Sequence, residues 1–300
     1  MVERDLHSVL FIKEPDKVLE EVEYICNQIR EDFDLSFIHT AYQDVIDFFN
    51  GDYPGYRACN TEYHDLDHTM DVFLATARLV HGAHLKDKQF TPEMLEVVLL
   101  SALFHDVGYI QKEGDTEGTG AKFTKYHEER GISILREYLR DKGHNGEIGD
   151  LCEQVILCTD INLSLEDITF KSKKIEYLGK LIGTADIIAQ LADRYYLEKL
   201  LLLYRESEES GINSFNSERE LMEKTVGFYE NYTRRRIDEE FDSLYSLNRL
   251  HFKHRWDVDR DLYSEYIQKN LDYLQEILEE SDESYRERLR RAGIVKKLSD

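Results

Sequence analysis

Apolar positions recur at spacings of three and four along most of the chain, the period of one helix face. Residues 16–31 and 34–49 read as amphipathic helices, and NGDYPGYRACN (50–60) as a loop punctuated by Gly and Pro. Helical spacing resumes over 62–82. Thr91-Pro92-Glu93 has the form of an N-cap followed by proline at the first helical position, opening a helix that runs to about Asp106. The polar, Gly-rich QKEGDTEGTGAK (111–122) follows, and further helices are expected at roughly 124–141, 147–159 and 173–205. RESEESGINSFNSERE (205–220) reads as a boundary or a long surface loop, and three more helical patterns fill 218–300. No repeat at solenoid periods and no strand alternation stands out, so the expected class is all-α.

Composition supports this. The chain has 300 residues with 41% hydrophobic and 33% charged, enough for a real core and a solvated surface. Only three prolines interrupt it, well below the roughly 5% average. The net charge of −23 repels phosphate backbones and excludes nucleic-acid binding as a main activity. An anionic substrate would need local help, and a metal is the usual help. Cys26, Cys59, Cys152 and Cys158 show no C-x-x-C spacing, which suits a reduced, cytoplasmic chain. The N-terminal MVERDLHSVLFIKEPDK has no apolar signal core, and the longest apolar run, 97–104, is far too short for a membrane span.

Three segments carry candidate chemistry. In YHDLDHTMDV, a helix would place His64, His68 and Asp71 on one stripe. VVLLSALFHDVG sets His105 and Asp106 directly after eight apolar or small residues, a costly position unless the pair is partnered or binds a metal. Asp186 lies within the apolar LIGTADIIAQLA and needs a partner too. Each has a bland explanation: a solvated helix end, a capping pair, an aspartate bonded to a hydroxyl or to Arg194. One metal site of two imidazoles and two carboxylates replaces all three, and that donor set suits Zn, Mn, Fe or Mg.

At this point the sequence resembles a family. YHDLDHTMDV is similar to the YHNxxHxxDV signature of class I cyclic nucleotide phosphodiesterases, within the HD-domain phosphohydrolase superfamily. FHD followed by VG resembles the HD pair, and TAD (184–186) the segment of the last metal-binding aspartate. VILCTDINLS (155–164) resembles xLATDMS, YHEERGISIL (126–135) resembles HHLAVGFKLL, and TVGFYENY (225–232) resembles QVGFIDYI. The likeness covers about residues 56–235. It implies a compact multi-helix HD-domain bundle as the catalytic region, with N-terminal helices (1–55) packed on it and C-terminal helices (236–300) packing on it or forming an interface, homodimeric if so.

The resemblance also implies roles. His68, His105, Asp106 and Asp186 would hold a first divalent ion, and Asp106 would bridge to a second. His127 would sit by the second ion or bind the phosphate, with Asp160 nearby. His64 would protonate the leaving alkoxide, its pKa raised by Asp65 or Glu62. Tyr63, Thr225 and Phe228 would line the substrate pocket, Phe228 as an aromatic clamp. Four positions depart from the family. Asp65 replaces an asparagine, Tyr109 a histidine and Ala189 an asparagine, while Thr225 replaces the purine-gripping glutamine. A hydroxyl cannot make the bidentate amide contact that reads a purine edge. The expectation is therefore a metal-dependent phosphohydrolase for a small phosphorylated substrate, with Asp106 and His64 central. A nucleotide or metabolite phosphomonoesterase, or a non-catalytic metal-binding sensor, are the alternatives.

Other features are read as structural. Lys122, Lys125 and Arg130 look like a solvated face beside His127. Arg234, Arg235 and Arg236 look like a helix surface paired with acids. His251 and His254 are too few for a metal site and read as core-edge or interface residues. Tyr263, Tyr266, Ile267, Leu271 and Leu274 form a packing stripe, against the core or a second copy.

Overall fold

A computed structural model describes residues 6–144, 146–212, 215–279 and 285–298. Helices α1 (Leu6–Leu10), α2 (Pro15–Ile29) and α3 (Ser36–Asn50) lead into α4 (Leu66–Leu85) and α5 (Pro92–Phe104). Then come α6 (His127–Asp141), α7 (Gly146–Ile156), α8 (Lys173–Ala192), α9 (Tyr196–Glu209) and α10 (Glu218–Phe228). The chain ends with α11 (Leu247–Trp256), α12 (Leu262–Leu278) and two single-turn helices, α13 (Tyr285–Arg288) and α14 (Ile294–Lys297). Among the described residues no strand forms, and one isolated bridge pairs Tyr56 with Lys112. The fold is all-α, as the periodicity predicts. The first five residues, and 280–284 and 299–300 of the C-terminal helical pattern, lie outside the described residues.

Burial follows hydrophobic pattern. Helix α5 is apolar around its whole circumference and is buried from Met94 to Phe104 except at Glu96. Thr91 caps it, accepting from the Met94 N–H at 3.2 Å, and Pro92 opens its first turn. Helix α4 is buried continuously from His68 to Ala83 apart from Asp71. Helices α4, α5 and α8 pack on one another, and the others surround this trio: α2 and α11 lie on α4, α3 and α7 on α5, α12 on α8. Gly82 makes the α4–α11 approach possible, since a Cβ there would lie 2.1 Å from the Leu247 carbonyl oxygen.

Buried polar groups fasten the outer helices. Arg78, fully buried on α4, donates to the Val9 and Leu10 carbonyls and to the Tyr263 hydroxyl, tying α1 and α12 to the centre. The Tyr263 stripe of α12 thus packs against the core. Arg255 of α11 pairs with Glu21 at 3.1 Å while its guanidinium lies over Tyr24 (3.9 Å) and Trp256 (4.2 Å), joining α11 to α2.

The structure corrects the pattern in four places. The 62–82 helix begins only at Leu66, because Asp65 caps it by accepting from the His68 N–H at 2.9 Å. His64 therefore lies before the helix, not on a stripe with His68 and Asp71, and Asp71 pairs with Lys13 at 2.6 Å. The 173–205 helix breaks at Asp193, where the chain turns and Asn270 donates to the freed Leu191 and Asp193 carbonyls at 2.9 Å each. The polar stretch from 205 begins as the end of α9 and is not all loop. Arg236 is buried, unlike the surface neighbours Arg234 and Arg235, and donates to the carbonyls of Cys158, Asp160, Ile161 and Leu163. No helix among the described residues is long and apolar enough to cross a membrane.

Candidate metal centre

Three packed helices deliver the candidate ligands. His68 stands in the first turn of α4, His105 and Asp106 follow the last residue of α5, and Asp186 sits toward the end of α8. His68, His105 and Asp106 are buried, and a ligand atom from each lies within 4.8 Å of the others. Asp186 flanks them, its side chain 21% exposed. Separations are 3.1 Å for His68 Nε2–Asp186 Oδ1, 3.2 Å for His105 Nε2–Asp106 Oδ2 and 3.4 Å for His68 Nε2–Asp106 Oδ2. His105 Nε2 and Asp186 Oδ1 are 4.0 Å apart. Donors about 2.1 Å from one ion stand roughly 3–4 Å apart, so His68, His105 and Asp106 fit a shared cation, with Asp186 beside them.

The hydrogen bonding supports that fit. His105 Nδ1–H donates to the Ala102 carbonyl at 2.8 Å, which leaves Nε2 as the free nitrogen. That Nε2 and Asp106 Oδ2 are both buried without a hydrogen-bond partner. Burial alone would raise the Asp106 pKa, but His105, His64 and His68 hold its carboxyl well below the usual range. Burial would lower that of His105, yet Asp106 and Asp186 push it up to about 9. The cluster can hold a metal ion.

Asp106 faces a third histidine with its other oxygen. His127 Nε2 lies 3.5 Å from Asp106 Oδ1. His127 Nδ1–H donates to the Thr124 carbonyl at 3.0 Å, and burial pushes its pKa down to about 4 despite Asp106. Its Nε2 therefore turns a lone pair toward a carboxylate oxygen, an arrangement that invites a cation. Two glycines create the approach. A Cβ on Gly108 would lie 1.8 Å from the His127 carbonyl oxygen, and one on Gly131 would lie 3.0 Å from that of Phe104. Glu128, 3.1 Å from His127 Nδ1, is raised by burial to about 8. Arg130 does not form a solvated face: it donates to the Gly108 and Ile110 carbonyls and stacks on Phe123 at 3.5 Å.

His64 meets a partner the spacing did not suggest. Its Nδ1–H donates to Glu206 Oε2 at 2.7 Å, while Glu206 Oε1 accepts from the Tyr63 N–H at 2.6 Å. Burial would lower the His64 pKa, but Glu206, with Asp106 and Asp186 behind it, pushes it up to about 9. The largest charge raising it is that of Glu206 on α9, rather than the expected Asp65 or Glu62. Tyr109 stacks on the rings of both His64 (4.4 Å) and His127 (4.3 Å), which themselves lie 6.0 Å apart.

The remaining residues lie farther out. Tyr63 is buried and, with His68, Asp193 and Lys199, lines a small enclosed cavity beside the centre. Asp160 Oδ1 accepts from the backbone and side chain of Asn162. The Thr225 hydroxyl is buried and donates to the Leu221 carbonyl of its own helix. Phe228 is 47% exposed and stacks on Tyr232 at 5.0 Å. A roomier surface hollow, lined by Leu165, Glu166, Ile168 and Phe170, contains none of the candidate catalytic groups.

A family model described as Npun_R2479-like matches residues 21–264, from within α2 to the start of α12. The chain belongs to the Npun_R2479-like family. The Npun_R2479-like match encloses every residue of the centre, from Tyr63 to Phe228, together with the helices that carry them. No curated protein matches the chain.

Proposed function

We propose that this Npun_R2479-like chain is a metal-dependent phosphohydrolase that cleaves a phosphodiester of a small nucleotide-like substrate. The observation that carries the proposal is the convergence of His68, His105, Asp106 and Asp186 from three helices, with the second oxygen of Asp106 turned to His127. The resemblance to HD-domain phosphodiesterases supports it. Divalent ions bound there would lower the pKa of a water and neutralise phosphoryl oxygens, which matters in a chain of charge −23. His64 is the proton donor. Glu206 holds its Nδ1, which leaves Nε2 to deliver a proton to the leaving oxygen. Tyr109 fixes the His64 ring plane by stacking.

One observation favours a second reading, a phosphomonoesterase. Thr225 spends its hydroxyl on Leu221, and Ala189 is apolar, so neither offers an amide that could read a purine edge. A product-resolved assay distinguishes the two. The protein, loaded with Mn²⁺ or Mg²⁺, is given cyclic mononucleotides, cyclic and linear dinucleotides and nucleoside monophosphates. Turnover of a diester, with little preference between adenine and guanine, is the expected result. Turnover of monophosphates alone moves the chain to the second reading, and no turnover with metal bound refutes both.

A further inference from the structure

The C-terminal segment crosses the helix that supplies Glu206. Tyr285 and Leu289 are buried and seat it on the core. The Tyr285 hydroxyl and the Arg286 guanidinium both donate to Glu218 of α10, and the Tyr273 hydroxyl of α12 donates to the Arg288 carbonyl at 3.0 Å. Beyond this anchor the chain meets α9. The Arg291 N–H donates to Glu198 Oε1 at 3.1 Å and its guanidinium to the Arg194 carbonyl at 2.6 Å, while Arg205 donates to the Leu298 carbonyl at 3.0 Å. Residues 285–298 thus form a strap fixed to α10 and α12 and laid along α9.

Glu198 and Arg205, which meet the strap, share one face of α9. Each is followed directly by a residue of the neighbouring face, about 100° round the helix. These are Lys199, paired with Asp193 at 2.8 Å, and Glu206, bonded to His64 and to the Tyr63 N–H. A shift of α9 on the strap side therefore displaces Glu206 on the other. Glu198 makes the strap contact demanding. It is fully buried, its Oε2 lacks a hydrogen-bond partner, and the Arg291 guanidinium lies 3.9 Å from Oε1. A carboxylate so placed either keeps its counter-charge or drives the helix toward water.

We infer that residues 285–298 position the His64–Glu206 pair: latched to Glu198, the strap holds α9 where Glu206 meets both His64 and the Tyr63 N–H. Glu198 and Arg291 are positioning residues. The catalytic consequence rests on the phosphohydrolase reading, and the positional one does not.

Arg291→Asp in the full-length protein tests this, because it sets a like charge against Glu198 from a partly exposed position. The Tyr63 N–H is bonded to Glu206, so its exchange with solvent deuterons, resolved by NMR, reports the place of α9 without any turnover. Arg291→Asp is expected to speed that exchange about tenfold while the core amides of α4 and α5 keep their rates. On alkoxide-leaving diesters kcat should fall roughly tenfold at unchanged KM and metal content, and the loss should vanish on nitrophenyl esters, as a misplaced acid requires. Glu198→Leu should act as Arg291→Asp does, whereas Glu198→Gln, which keeps an acceptor for the Arg291 N–H, should match the unaltered protein. Tyr63 exchange that is unchanged in Arg291→Asp, or raised no more than across α4 and α5, overturns the inference. So does a loss of kcat that is equal for both kinds of ester. No turnover by the unaltered protein refutes the phosphohydrolase reading instead, and Tyr63 exchange still decides the strap.

Discussion

If the chain is the proposed phosphohydrolase, Asp106→Ala is expected to remove a divalent ion and to cut hydrolysis by about a thousandfold or more. Asp106 faces His68 and His105 with one oxygen and His127 with the other, so its loss opens both halves of the centre. Metal ions supply several kcal/mol of transition-state charge stabilisation, and each ~1.4 kcal/mol is a tenfold change in rate. Asp106→Asn keeps the shape and one acceptor oxygen but removes the charge, and is expected to lose most of the activity too. Metal content per chain, measured beside kcat/KM, checks the link. Full activity in a metal-depleted Asp106→Ala protein would show that the chemistry lies elsewhere.

His64→Ala is expected to lower kcat by roughly 10²–10⁴ on substrates with alkoxide leaving groups, with metal content unchanged. A nitrophenolate leaving group needs no proton, so on such esters most of the loss should vanish. The pH profile carries the sign. His64 must be protonated to donate, hence activity falls as pH rises through its pKa. Cations beside Asp106 and Asp186 cancel the share those carboxylates contribute and leave Glu206 as the main support. The alkaline limb is therefore expected between the ordinary value of about 6.5 and the raised value of about 9. Glu206→Gln keeps an acceptor for Nδ1 but removes the charge, so the limb should move to lower pH. A limb that stays in place in Glu206→Gln would exclude His64 as the titrating acid.

Much of this centre is legible in the sequence, for reasons that differ by residue. His105 and Asp106 stand out because they close a run of apolar residues where a charge is costly, and Asp186 because α8 is apolar around it. His68 is found by spacing. Glu206 is hidden among acids in RESEESG, where no pattern separates it from solvated neighbours. Only the break at Asp193, which turns α9 back toward the centre, reveals it. The same break escaped the periodicity because Asp193 interrupts a long apolar pattern without a glycine or proline. Arg236 was concealed by its arginine neighbours.

The joint made by Arg255 has a spectroscopic consequence. Trp256 is the sole tryptophan of the chain, and it is pressed under the guanidinium that binds α11 to α2. Intrinsic indole fluorescence is therefore a gauge of one seam rather than of the whole molecule. During denaturation it follows the parting of these two helices, whereas far-ultraviolet dichroism follows helix content everywhere. Agreement between the two traces means that the seam and the buried trio melt as one unit, and an earlier change in emission means that the outer layer peels away first.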